Sequence, residues 1–144
     1  RVRSRRQRQM CIRDRLTPVD AGLGVLAATK SKEEFVGREA IVAAKEEGTK
    51  QTLIGLVGEG RRAARGGYEV FAGSGDEAAS DAAIGSVTSG ALSPTLGHPV
   101  AMAYATKTAV DSGAAAEGAT VEVDIRGKRF PYRVVALPFY KREQ

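Results

Sequence analysis

The sequence predicts a mainly β protein with one N-terminal helix, whose six antiparallel strands form a closed or nearly closed barrel or a sandwich. Three observations carry this reading. Beyond Gly48, six short apolar segments follow one another at spacings of about 10 to 20 residues, divided by Gly-rich connections. One of them, TVEVDIRG from Thr120, sets Val121, Val123 and Ile125 against Glu122, Asp124 and Arg126, the period of a strand with one wet face. Ahead of Gly48, SKEEFVGREAIVAAKEEG changes period and places Ala40, Ile41 and Ala44 on one helical face.

The first 15 residues, RVRSRRQRQMCIRDR, fit neither period. They hold seven arginines against Asp14, a net of 7 − 1 = +6. The other 129 residues carry 15 basic and 16 acidic groups, so the formal charge of +5 is a property of the tail. An Arg-rich tract can be a basic arm for nucleic acid. This one, with no apolar face of a transit peptide and no apolar run of a signal peptide, reads instead as a non-native leader. It also contains Cys11, the one cysteine, so the body offers no disulfide framework and no thiolate metal site. No run approaches the length of a membrane-spanning helix.

LTPVDAGLG, Leu16 to Gly24, has the Pro and Gly density of a loop. A helix is expected from Arg38 to Glu47, with Phe35 packed ahead of it, Glu39 in its first turn, Lys45 in its last and Gly48 as its stop. The strands expected after it run from Thr52 to Val57, Tyr68 to Phe71, Ala83 to Thr88, Pro99 to Ala105, Thr120 onward and Lys128 onward. VAMAYA alternates Val100, Met102 and Tyr104 with alanine, so it can be covered on both faces. The last two strands are joined by a hairpin expected to turn at Gly127 and Lys128, and Pro131 reads as an edge or a bulge. AGSGDEAASDAA and TKTAVDSGAAAEGA read as solvated hairpin loops free to vary, and SGALSPTLG as a loop between two strands.

Little in the sequence supports chemistry by itself. The one histidine, His98, lies between Gly97 and Pro99, as a turn residue at a strand entry. Zinc coordination by two or three imidazoles is therefore excluded. GEGRRA, Gly58 to Ala63, fits a dinucleotide fingerprint, but Gly66, Gly67 and YEVF follow where the fingerprint requires a helix. The same connection places Arg61, Arg62 and Arg65 close together: either solvated charges or a clamp for a carboxylate or phosphate, since a guanidinium pairs with both in a two-pronged fashion. FYKREQ closes the chain with an aromatic and two cations, able to line a neighbouring cleft if ordered.

TPVDAGLG, FVGREAI, LIGLVGEGR, IGSVTSGALSPTLGHPVAMAYA, VEVDIRGKRFPYRVV and LPFYKR, in that order from Thr17 to Arg142, resemble the C-terminal part of the aminomethyltransferases, the T proteins of the glycine cleavage system. LPFYKR favours this family over the C-terminal domains of dimethylglycine and sarcosine dehydrogenases. The resemblance implies a six-stranded Greek-key or jelly-roll-like barrel over residues 51–144, a linker with helix over 16–50 remaining from a preceding domain, and the leader over 1–15. It implies a one-carbon transferase with tetrahydrofolate as co-substrate and no metal. The implied partners are the lipoyl-bearing H protein and the family's N-terminal domains, with neither nucleic acid nor membrane. The family's catalytic aspartate and most pterin-binding groups lie upstream, so the resemblance implies a fragment inactive alone, with no catalytic residue of its own. Its location is expected to be cytoplasmic, or the mitochondrial matrix in a eukaryote.

Carried over residue by residue, Arg65 matches an arginine facing the family's folate channel. Tyr140 and Arg142 match the terminal aromatic and arginine near substrate or the folate glutamate tail. The sequence departs from the family pattern at RRAA, before Arg65, and at the long GSGDEAASDAA loop. SGALSPTLG is expected to lean on other domains through Leu92 and Leu96. A stand-alone anion-binding module remains a second reading.

Overall fold

The computed structural model describes residues 16–27, 29, 31–73 and 82–140. The chain divides after Lys50 into two compact units. In the first, helix α1 spans Arg38–Glu47, with Glu39 and Lys45 in its end turns. None of its residues is buried: Ile41 and Ala44 are half-covered and Ala40 is exposed. Before it, the Asp20 carboxylate accepts from both the N–H and the hydroxyl of Thr17 at 2.8 Å, closing a turn in the TPVD segment.

The second unit is a barrel of β1 (Gln51–Gly58), β2 (Glu69–Ala72), β3 (Gly85–Leu92), β4 (Pro99–Thr106), β5 (Thr120–Asp124) and β6 (Arg129–Val135), with a short helix α2 (Lys107–Asp111) after β4. Every pairing is antiparallel and the sheet closes in the order β1-β4-β3-β2-β5-β6. Closure chooses the barrel over the sandwich. It also leaves no strand edge, the usual site of edge-to-edge association. The interior is filled by one parity of each strand: Leu56, Val70, Val121 and Val123 are wholly buried, and each contributes about 1.5–3 kcal/mol. From β4 it is Ala101, Ala103 and Ala105 that point inward, while Val100, Met102 and Tyr104 lie half-covered outside. Small side chains on one wall leave room for large ones elsewhere, among them Tyr132 of β6, 2% exposed.

The strand order is that of a Greek key, because β4 returns beside β1 and forces the β1–β2 connection to cross between non-adjacent strands. That connection runs across the barrel mouth at the Gly58 end of β1. Its Ala64 is fully buried in the core. The other crossover, from β4 to β5, serves the opposite mouth. There α2 is opened by the Thr106 hydroxyl, which accepts the Ala109 N–H, and Ala109 and Ala115 join the core.

Several expectations need correction. TKTAVDSGAAAEGA is not a freely varying loop, since its first residues form α2 and its alanines plug the barrel. Residues 74–81, the centre of the other expected loop, lie outside the described residues. SGAL continues β3 instead of beginning the connection, so the turn is confined to residues 93–98. Pairing with β4 makes this possible, with a register shift between Val87 and Ser89. The β5–β6 turn is centred on Arg126 (φ 58) and Gly127 (φ 80), with Lys128 carbonyl accepting the Ile125 N–H at 2.8 Å, one residue earlier than expected. Pro131, by contrast, lies where expected, on a locally unpaired edge of β6, and in no bulge. The Val134 N–H points to the β5 side, at Ala119, so by alternation the Pro131 nitrogen faces the β1 side. Pairing with β1 starts only at Tyr132, and no ladder bond is lost.

Candidate functional site

The cationic segment singled out in the sequence becomes the cover of one barrel mouth. It is held from two sides. From β6, the Tyr132 side chain rises inside the barrel, donates its hydroxyl proton to the Arg62 carbonyl at 2.7 Å, and accepts the Ala64 N–H at 3.0 Å. From β3, the Val87 carbonyl accepts the Gly67 N–H at 2.8 Å. The same strand comes so near that a Cβ on Gly90 would stand 2.5 Å from the Ala64 carbonyl oxygen. Part of the smallness of SGALSPTLG is thereby explained within the barrel itself: β3 must let the crossover pass.

Anchored this way, the segment presents Arg61, Arg62 and Arg65 outward, all exposed. The Arg62 guanidinium lies 5.1 Å from the centre of the Phe130 ring. None of the three makes an ion pair among the described residues. Other cations on the barrel are engaged differently. Arg129 stands 4.1 Å over the Phe71 ring and pairs with Glu122 at 3.9 Å. Lys107 pairs with Asp111 at 3.8 Å along α2. Burial pushes the Tyr132 hydroxyl above its ordinary range, partly offset by the Ala64 N–H that it accepts. The hydroxyl stays protonated at neutral pH and remains a donor to Arg62. Such a surface can receive carboxylates or phosphates.

The residues expected to act together are not joined here. No hydrogen bond or ion pair links Arg65 with Tyr140. Arg65 lies on the connection leaving the Gly58 end of β1, whereas Tyr140 follows the Val135 end of β6. The two strands are antiparallel, with Gly58 opposite Tyr132 and Gly55 opposite Val135, so the segments depart in opposite directions. Tyr140 is 58% exposed, while Leu137 and Phe139 lie over Gly55 on the outside of β1. Arg142 lies outside the described residues. His98 ends the turn in which its carbonyl accepts the Ser93 N–H at 3.0 Å, and the Ser93 hydroxyl accepts from Leu96. Leu92 is 43% exposed at the end of β3. Among the described residues no group of three His, Cys, Asp or Glu side chains converges, and no helix is long and apolar enough to cross a membrane.

Tyr132 was not singled out from the sequence. The signal was present, because it shares the inward parity of Phe130 and Val134, and a tyrosine inside a barrel needs a partner for its hydroxyl.

Comparison with known proteins places this geometry in context. The family model for the glycine cleavage T-protein C-terminal barrel domain matches residues 51–141. An aminomethyltransferase of Corynebacterium jeikeium is 78% identical over 130 residues, 90% of this chain and 32% of that protein. One from Streptomyces avermitilis is 50% identical over 133 residues, again 32% of its length. The chain therefore spans about a third of the curated relatives it matches. The crystal structure of the glycine cleavage system aminomethyltransferase T from Bartonella henselae superimposes with a TM-score of 0.69 at 31% identity, covering 86% of this chain and 32% of that one. A closed six-stranded barrel with this match along its whole length makes the chain a member of the glycine cleavage T-protein C-terminal barrel domain family.

Proposed function

We propose that this barrel is the C-terminal domain of an aminomethyltransferase. That enzyme takes the aminomethyl group from the lipoyl arm of an H protein, releases ammonia and passes the one-carbon unit to tetrahydrofolate, leaving methylene-tetrahydrofolate and the dihydrolipoyl arm. The observation that carries the reading is the 78% identity to the Corynebacterium jeikeium aminomethyltransferase. The role of this chain is binding and not proton transfer, which belongs to groups in the part of the relatives it does not span. Residues 16–50 are then what joins the barrel to the preceding domain, and the enzyme works in the cytoplasm. Arg65 contacts the folate at this mouth, and Tyr140 and Arg142, on the segment that follows β6, contact a different part of the ligand, since the chain after Gly58 and the chain after Val135 depart in opposite directions. Three exposed arginines that make no ion pair among the described residues fit the glutamyl carboxylates of tetrahydrofolate, which gain charge-assisted hydrogen bonds there.

The test is a chimera in which residues 16–144 replace the matching third of the Corynebacterium jeikeium enzyme. With H protein and tetrahydrofolate it is expected to release ammonia at a rate near that of the intact relative, while the relative lacking that third is inactive. A folded chimera without turnover overturns the assignment. In the active chimera, Arg65→Ala is expected to raise KM for tetrahydrofolate about tenfold, the loss of one charge-assisted hydrogen bond, with kcat little changed.

A further inference from the structure

Sequence pattern places three arginines on one connection; the structure adds that this connection is fastened from within. Its backbone is bound at Arg62 and Ala64 by a single buried phenol and at Gly67 by β3. A crossover of this length needs no such device to span the mouth, and most long connections move. Here the bonds converge on the residues that carry the cations: the Arg62 carbonyl is fixed, its guanidinium rests 5.1 Å from the Phe130 ring centre, and Arg65 begins the turn in which its carbonyl accepts the Tyr68 N–H at 3.2 Å. Arg61 and Arg65 have no anionic partner among the described residues, so the fixed backbone does not serve an internal ion pair.

We infer that the Tyr132 hydroxyl is a positioning residue: from inside the barrel it sets the Arg61–Arg65 segment in the conformation that receives a ligand bearing several carboxylates. This rests on the reading above that the arginines meet the folate's glutamyl tail. Arginine side chains lose less freedom on binding when their backbone is already set, and an unanchored segment must order itself at the expense of affinity. The tyrosine touches no ligand. Its contribution is made through the two hydrogen bonds at Arg62 and Ala64. The raised proton affinity of the phenol agrees with this, since only the neutral hydroxyl both donates to one and accepts from the other.

The test uses the full chain and a γ-linked triglutamate as probe, followed by NMR. The wild-type protein is expected to show saturable shifts at Arg61, Arg62 and Arg65 that weaken with salt. Tyr132→Phe keeps the ring and removes the hydroxyl. It is expected to weaken binding about five- to tenfold, the worth of one to two hydrogen bonds, and to speed exchange of the Ala64 amide by at least the same factor. The ring-current shift of the Arg62 side chain over Phe130 is expected to shrink with it. Val134→Ala, a core change on the same strand, controls for plain destabilisation: it is expected to lower the unfolding midpoint and leave triglutamate affinity within twofold. Equal affinity in the wild type and Tyr132→Phe, absence of saturable shifts in the wild type, or an equal loss in Val134→Ala each overturns the inference. Failure of the transferase reading shows elsewhere, as an inactive chimera, whatever the triglutamate titration gives.

Discussion

A phenol that bridges two backbone groups 68 and 70 residues away in sequence ties the core of this barrel to its cationic rim. Its titration gives a pH signature with a fixed sign. The hydroxyl binds its proton more tightly in the folded chain than in the unfolded one, where its affinity is that of free tyrosine, near pH 10. Below that pH both states are protonated and the contribution to stability is complete; above it the unfolded chain ionises first, and stability falls as pH rises toward the folded value. Denaturant unfolding of the wild-type protein between pH 9 and 11 should therefore lose stability more steeply than Tyr132→Phe, which lacks this group. Parallel slopes would show that the phenol is not protected. Among the arginines, legibility differed: Arg61, Arg62 and Arg65 were visible as a cluster because they are neighbours in sequence. The inward parity of Tyr132 is legible, but its partners are not, because a backbone carbonyl or N–H distant in sequence leaves no mark there.

Elements were legible where local physics decides them. The bounds of α1 follow from its end-turn charges and Gly48, and the inward face of β5 from its strict alternation. β3 was foreshortened because Ser, Gly and Ala have no strand preference of their own; the pairing with β4 imposes it, and Ser86, Thr88 and Ser89 are free to be polar because they face solvent. α2, five residues long, is too short to show a helical period. The β5–β6 turn was displaced by one residue because the usual Asn-Gly or Asp-Gly pair is replaced by Arg126-Gly127. This turn needs two left-handed residues and already accepts one without glycine, aided by the Asp124 carboxylate, which takes the Gly127 N–H at 2.7 Å. Gly127→Ala is thus expected to cost about 1 kcal/mol, seen as a lower denaturation midpoint with unchanged slope. Asp124→Ala, which removes only the hydrogen bond, should cost a similar amount, about 0.5–1.5 kcal/mol.

At the scale of the whole molecule, the two units differ in how they treat apolar side chains. In residues 16–50, Leu23, Val25, Leu26 and Val36 are 51%, 93%, 78% and 104% exposed in turn-rich chain, and no residue of α1 is buried. The barrel buries all but a few of its own, and its backbone ladder closes on itself, so every strand finds both partners between residues 51 and 135. Strand order itself was beyond reach of the sequence, because closure is a sum of distant pairings that no local period encodes. It has a direct consequence for stability. A chain beginning at Gln51 should unfold in a single cooperative transition, with coincident midpoints by far-UV circular dichroism and by tyrosine fluorescence, since no strand depends on a partner outside it. Its binding of a dye that reports exposed apolar surface should fall well below that of the full chain, because four large exposed side chains leave with residues 16–50. Non-coincident transitions would mean that the ladder is not closed by its own strands; undiminished dye binding would place the exposed apolar surface on the barrel instead.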